Sequence, residues 1–183
     1  MRIIVNYVIL ICWLAFWAYW FISARKAKPG QGLSGRYIGI RVVIAIAVVY
    51  LVRSIGGHSH PLTSGPVLIG VGLALFAGGL ALAVWARVYI GRNWGMPMSR
   101  RDEPELVTTG PYRRVRHPIY TGIIVALLGN ALATSLWGLI AVVGLGGYFI
   151  FSATREEAFL AGQFPDTYPS YKHSTKMLVP FVF

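Results

Sequence analysis

Cysteine is nearly absent from this chain. Cys12 is the only one among 183 residues, so no internal disulfide can form and a cysteine-built metal site is excluded. It lies inside an apolar run, where it reads as a small buried hydrophobe. Acidic residues are almost as scarce, six against 17 lysines and arginines, for a formal net charge of +11. Three of the six, Asp102, Glu103 and Glu105, share one loop. Charge of either sign is missing from residues 119 to 153. No convincing Ser/His/Asp or Cys/His set for nucleophilic catalysis can be assembled. Gly144-Leu145-Gly146-Gly147 resembles a fragment of a dinucleotide loop. However, it lacks the third glycine and sits within an apolar span, so it reads as helix packing. His58 and His60 stand in a Gly/Ser/Pro loop with no third ligand type nearby, so a plain loop and no metal site are expected.

Apolar residues are what the chain has in excess, 56% of the total. That fraction and its long runs predict an all-α integral membrane protein forming one membrane domain over residues 1 to 183. The basic excess suits an anionic lipid surface. Its arginines are scattered between apolar runs rather than gathered into a stripe, which argues against nucleic acid.

A helix needs about 20 mostly apolar residues to cross a bilayer. Residues 3 to 22 form such a run and end in a Trp/Tyr cluster suited to the interface. No clear cleavage site follows it, so an uncleaved span is expected. Residues 38 to 55 form a second run, with Arg41 and Arg53 placed to snorkel. Residues 66 to 90 form a third, opened by Pro66 and rich in glycine and alanine that allow close helix approach, within the chain or in a dimer. As one straight helix, residues 119 to 153 would be roughly 50 Å long against a hydrocarbon core of about 30 Å. The polar and small residues Asn130, Thr134, Ser135 and Gly138 mark a turn in the middle. The run is therefore predicted to be a hairpin, about 119 to 132 and 136 to 154. Basic residues concentrate in residues 23 to 37, in 91 to 118 and in the tail, and are missing from 56 to 65. By the positive-inside rule this predicts about five spans, N-terminus out and C-terminus in the cytoplasm.

The hairpin brings the two ends of that run to one face. At its start, Pro118 suits the first turn of a helix, His117 the N-cap, and Tyr120 lies one turn on. Free N–H groups and the helix dipole favour an anion there, and Arg113, Arg114 and Arg116 add to this. At its far end stand Glu156 and Glu157, able to accept from an ammonium or a ribose hydroxyl. A ligand with a carboxylate, an amine and a ribose matches this set, and S-adenosyl-L-methionine is one such ligand.

These motifs carry a resemblance. "LVTTGPYRRVRHPIYTG" at 106 to 122, the apolar hairpin, "REEAFL" at 155 to 160 and the tail "FPDTYPSYKHSTKMLVPF" are together similar to the isoprenylcysteine carboxyl methyltransferase and phospholipid methyltransferase families. The similarity covers about residues 87 to 181. It is specific in the combination of Arg-His-Pro-x-Tyr-x-Gly, hairpin and Glu-Glu. It implies a membrane-embedded methyltransferase using S-adenosylmethionine, with residues 1 to 65 as an N-terminal two-helix part and 66 to 183 as the methyltransferase core. By position, His117, Tyr120 and Glu157 would contact the cofactor, and Pro118 and Gly122 would shape the helix start. Tyr112 and the segment with Leu106, Val107 and Thr109 would line the pocket, and Tyr168 and Tyr171 would close it. Asn93 in "GRNWG" would lie near the substrate. Pro165 departs from the family pattern, which usually has glycine after Phe164.

Direct methyl transfer needs aligned donor and acceptor, exclusion of water and an acceptor in its reactive ionisation state. Arg87 is a candidate to hold an anionic acceptor. The expected partners are membrane lipids and a lipophilic or lipidated acceptor: an isoprenylcysteine carboxylate, a phospholipid amine, or a small hydrophobic thiol or acid. Two other readings are a catalytically silent membrane scaffold that kept the fold and an NADPH-dependent relative of sterol reductases.

Overall fold

A computed structural model of the chain describes residues 2–25, 65–94 and 105–183. The expected second span, Lys26, Lys28 and Arg36 of the first loop, His58 and His60, and Asp102 and Glu103 lie outside the described residues, as does a test of the five-span count. The described residues are helical: α1 (Arg2–Ala24), α2 (Pro66–Ile90), α3 (Pro118–Thr134), α4 (Leu139–Gln163) and the short α5 (Tyr168–Ser174). The one β feature among them is an isolated parallel bridge between Val115 and Lys176. Three stretches, Arg2–Ser23, Pro66–Asn93 and Leu136–Gln163, are long and apolar enough to cross a membrane, and α3 is a shorter apolar helix. Large apolar side chains such as Ile3, Leu14, Val143 and Phe151 are exposed along these helices. In water that surface would be costly; against lipid tails it is matched.

Helices α2 and α3 form the closest pair, because their facing residues are small. A Cβ on Gly79 would overlap the Ala126 backbone nitrogen and the Gly122 carbonyl, and one on Gly122 would lie 2.6 Å from the Ala83 nitrogen. Gly72 and Gly129 repeat the arrangement two turns away. Lipid tails supply no hydrophobic drive between helices, so this backbone approach, with its dispersion contacts, replaces it. Gly70 and Gly78 face open space instead. Helix α2 stops at Gly91, whose N–H donates to the Arg87 carbonyl and whose φ of 57° turns the chain out of the helix.

Packing gives the helix directions. One buried cluster joins Val5 and Ile9 of α1 with Ile69 and Phe76 of α2 and Ala126 and Ala133 of α3. Another joins Phe16 and Trp20 with Ala83, Ala86, Ile119, Tyr120, Phe149 and Leu178. Helices α1 and α2 therefore run parallel, and α3 runs against both. Arg25 and Gly65 consequently lie at opposite ends of the bundle.

The hairpin forms as expected, turning through Ser135 and a 3-10 turn at Leu136–Gly138. Its second arm does not end at 154. Helix α4 continues through Arg155, Glu156 and Glu157 to Gln163 and stops where Phe164 precedes Pro165. Charge ends the apolar run but not the helix, since Arg and Glu are good helix formers. The residue before proline is what disfavours a further turn.

Candidate functional site

Helix α3 begins at the bundle end where α1 and α2 stop and α4 finishes. Pro118 is its first residue and His117 its N-cap. The His117 ring lies nearly parallel to Tyr120, centroids 5.4 Å apart with 6° between planes, and Tyr120 stacks on Phe149 of α4 at 4.7 Å. The Tyr120 hydroxyl donates to Glu156 Oε1 at 2.5 Å. His117 Nδ1 is 3.6 Å from Glu156 Oε2, and its Nε2 is 3.5 Å from Glu157 Oε1. Each ring nitrogen thus faces one of the two carboxylates, and Nε2 is buried with no hydrogen-bond partner.

Glu157 is itself buried, which a carboxylate tolerates only among opposite charges. Arg116 Nε donates to its Oε1 at 2.7 Å, and Lys172 Nζ of α5 lies 3.0 Å from its Oε2. Arg116 also donates through Nη1 to the carbonyls of Lys172 and Thr175, at 3.2 and 2.6 Å. Backbone bonds complete this attachment of the tail. Arg116 N–H donates to the Lys176 carbonyl at 2.8 Å, and His117 N–H to that of Met177 at 3.1 Å. The Thr121 hydroxyl donates to the Leu178 carbonyl at 2.7 Å.

Three tyrosines stand behind this cluster. Tyr171 donates to the Tyr112 carbonyl at 2.7 Å, and the Tyr112 hydroxyl to the Ala86 carbonyl at 3.4 Å. The Tyr168 hydroxyl is buried without a partner. Burial pushes all three phenols well above their ordinary pKa, reinforced at Tyr168 by the Glu157 charge, so they act as neutral groups. A cavity of about 330 Å³ opens between α4 and α5, with Glu157, Tyr168, Lys172 and Met177 among its walls. A second cleft of about 400 Å³ lies on the other side of α5, between Tyr171, Leu106 and Arg113.

The structure thus gathers Arg116, His117, Pro118, Tyr120, Glu156, Glu157, Tyr168 and Tyr171 at one place. Other expected residues sit elsewhere. Gly122 leaves no room for a ligand, because the α2 backbone fills the space beside it. Arg116 is committed within the chain through Nε and Nη1, which three acceptors take. Arg87 is buried at the ends of α1 and α2: it donates to the carbonyls of Ser23 at 2.7 Å and Gly91 at 2.8 Å, with its guanidinium 4.4 Å from the Trp94 ring centre. That makes it a clamp on two helix C-termini, which carry unsatisfied carbonyls. Asn93 Nδ2 donates to Glu105 at 3.0 Å, while its Oδ1 has no partner. Thr109 pairs with the Tyr89 hydroxyl at 2.8 Å, and Val107 packs on the core. Sequence reasoning missed Lys172, counting it only as a topology charge. Its spacing of four from Tyr168 along α5 was the available signal.

A bundle of apolar helices whose hairpin closes a His/Glu/Glu/Arg cluster at one end defines an integral membrane protein with a polar site at the ends of its spans. A likeness of known proteins says which kind. The chain matches the phospholipid methyltransferase family model over residues 67–167, and it belongs to that family. It is 30% identical over 154 residues to the nickel-cobalt-cadmium resistance protein NccN of Alcaligenes xylosoxydans xylosoxydans, covering 81% of this chain and 66% of that one. It is 35% identical over 105 residues to the protein-S-isoprenylcysteine O-methyltransferase of Schizosaccharomyces pombe, covering 53% of this chain and 43% of the other. The chain thus spans less than two thirds of the length of these relatives. The solved structure of the eukaryotic intramembrane Ras methyltransferase, isoprenylcysteine carboxyl methyltransferase, superposes with a TM-score of 0.52 at 21% identity. That superposition covers 83% of this chain and 55% of the other, a likeness of fold.

Proposed function

We propose that this protein transfers the methyl group of S-adenosylmethionine to a lipophilic acceptor, with the cofactor held where α3 begins and α4 ends. The observation that carries the reading is the His117–Tyr120 ring pair set between the carboxylates of Glu156 and Glu157. Family membership supports the reaction class. The donor set fits a zwitterion: two carboxylates for an ammonium, with a buried Tyr168 hydroxyl that makes no hydrogen bond within the chain. When bound, the cofactor would supply an electrophilic sulfonium methyl to the acceptor's lone pair, with a neutral thioether as its leaving group.

The chain's own part is to bind, orient and keep out water. Glu156, oriented by the Tyr120 hydroxyl, and Glu157, oriented by Arg116, hold the charged end of the ligand. Buried Tyr120, Phe149 and Ala153 wall the site on the bundle side and exclude water. A carboxylate or thiolate acceptor needs no general base; an amine must arrive neutral. The acceptor is a phospholipid amine, an isoprenylcysteine-like carboxylate or a small hydrophobic thiol or acid, entering from the bilayer. Residues 66 to 183 carry this chemistry, with the N-terminus out and the site on the cytoplasmic side.

The test is calorimetry in detergent with S-adenosylhomocysteine and, separately, NADPH. Saturable binding of the first supports the proposal. Binding of NADPH alone points to a reductase, and binding of neither to a silent scaffold. Labelled methyl transfer across a panel of lipid and thiol acceptors then identifies the acceptor.

A further inference from the structure

Glu157 has three cationic or potentially cationic neighbours, and one differs from the others. The Arg116 and His117 side chains are each 8% exposed, whereas Lys172 is 55% exposed. Arg116 is fixed by two further carbonyl acceptors. Lys172 reaches the carboxylate only through the end of a flexible stem, at Oε2, the oxygen that Arg116 leaves open. Both Lys172 and Glu157 border the cavity of about 330 Å³ between α4 and α5, a size at the lower end for small-molecule pockets. Tyr168 borders it too; the residue is 1% exposed and its hydroxyl has no partner. The cavity therefore combines a buried anion, an unpartnered buried donor and a cation able to leave.

We propose that Lys172 is a placeholder: its ammonium sits at Glu157 Oε2 where the ammonium of an amine-bearing ligand binds, and it must swing out for that ligand to enter. The inference rests on the proposed function, under which the ligand's ammonium belongs to the amino-acid end of S-adenosylmethionine. The exchange swaps one ammonium for another, so the buried carboxylate is never left without its charge partner, the situation that would be costly. The departing lysine regains water at the end of a stem that was already half exposed. Arg116 cannot play this part, because moving it would also release the tail. The arrangement makes Lys172 a specificity-determining residue: a ligand without an ammonium has nothing to offer Glu157 in exchange.

Lys172→Gln and Lys172→Met in the full chain test this, with S-adenosylhomocysteine and its analogue lacking the amine as probes. Calorimetry in detergent gives affinities. Mass spectrometry follows acylation of Lys172 by an amine-reactive reagent in the wild type, with and without S-adenosylhomocysteine. Removing a half-exposed competitor is expected to tighten S-adenosylhomocysteine binding roughly two- to fivefold, and saturation is expected to speed acylation of Lys172. Binding by the variants where the wild type shows none supports the placeholder as well. Unchanged or weaker binding by the variants, or protection of Lys172 by the ligand, overturns it while leaving the cofactor reading intact; protection would mean that Lys172 holds the ligand's carboxylate. Failure of wild type and variants alike to bind overturns the cofactor reading and the placeholder with it.

Discussion

Arg116 donates to Glu157 across 2.7 Å, although 41 residues separate them in the chain. The same guanidinium holds the carbonyls of Lys172 and Thr175, so one side chain joins the start of α3, the end of α4 and the tail. Breaking a buried pair by removing one partner costs about 3–5 kcal/mol. Arg116→Met is therefore expected to lower thermal stability in detergent and to expose residues 164–183 to protease before the spans unfold. Cleavage of the tail at the wild-type rate would contradict this.

Tyr120 is tied to Glu156 by one hydroxyl. Tyr120→Phe keeps the ring stack on Phe149 but removes one hydrogen bond from the carboxylate, with a loss of about 1.5–3 kcal/mol for a hydrogen bond to a charged group. Affinity for S-adenosylhomocysteine is expected to fall about tenfold. The same lost bond is expected to lower the unfolding temperature by a few degrees. An unchanged dissociation constant would separate Tyr120 from ligand binding.

Gly79 admits α3 to backbone contact, whereas Gly70 faces open space. Gly79→Leu must push the pair apart and is expected to cost about 3 kcal/mol or more by overpacking. Gly70→Leu should be close to neutral. Circular dichroism melts in one detergent compare the two directly, and equal melting points would count against the observed α2–α3 interface.

Arg87 satisfies the carbonyl ends of α1 and α2. Arg87→Gln is expected to destabilise the fold by about 2 kcal/mol through lost charged hydrogen bonds, without changing S-adenosylhomocysteine affinity. Thermal melts alongside calorimetry check this. A variant of native stability whose KM for acceptor rises would return Arg87 to the acceptor-binding role suggested by its sequence position.

Burial raises the phenols of Tyr168 and Tyr171 well above the ordinary phenol range in the folded state. The unfolded chain then loses these protons first, so stability is full below about pH 10 and falls as pH rises beyond it. Spectrophotometric titration should show these tyrosines ionising only as the fold is lost. Ionisation at the ordinary phenol value in the intact protein would place them in water.

The second arm of the hairpin shows how far local patterning reaches. Charge density located its apolar run, and the polar residues near Thr134 located the turn, because both are properties of neighbouring residues. The end of α4 escaped, since Arg155, Glu156 and Glu157 break the apolar pattern without breaking the helix. Gly122 was expected to shape the start of α3, yet nothing local told whether a ligand or another helix lies beside it.

Hydropathy, proline placement and the scarcity of acids were enough on their own to determine membrane helices, the start of α3 at Pro118 and the doubling back that makes His117 and Glu157 neighbours. These follow from the bilayer's thickness and from backbone sterics, which act on the chain segment by segment. Which cation faces which carboxylate was decided only by tertiary structure. Arg116, Lys172 and Arg87 carry similar charges in sequence, and only the packed helices make the first a fastener of the tail, the second a half-exposed partner of Glu157 and the third a cap on two helix ends.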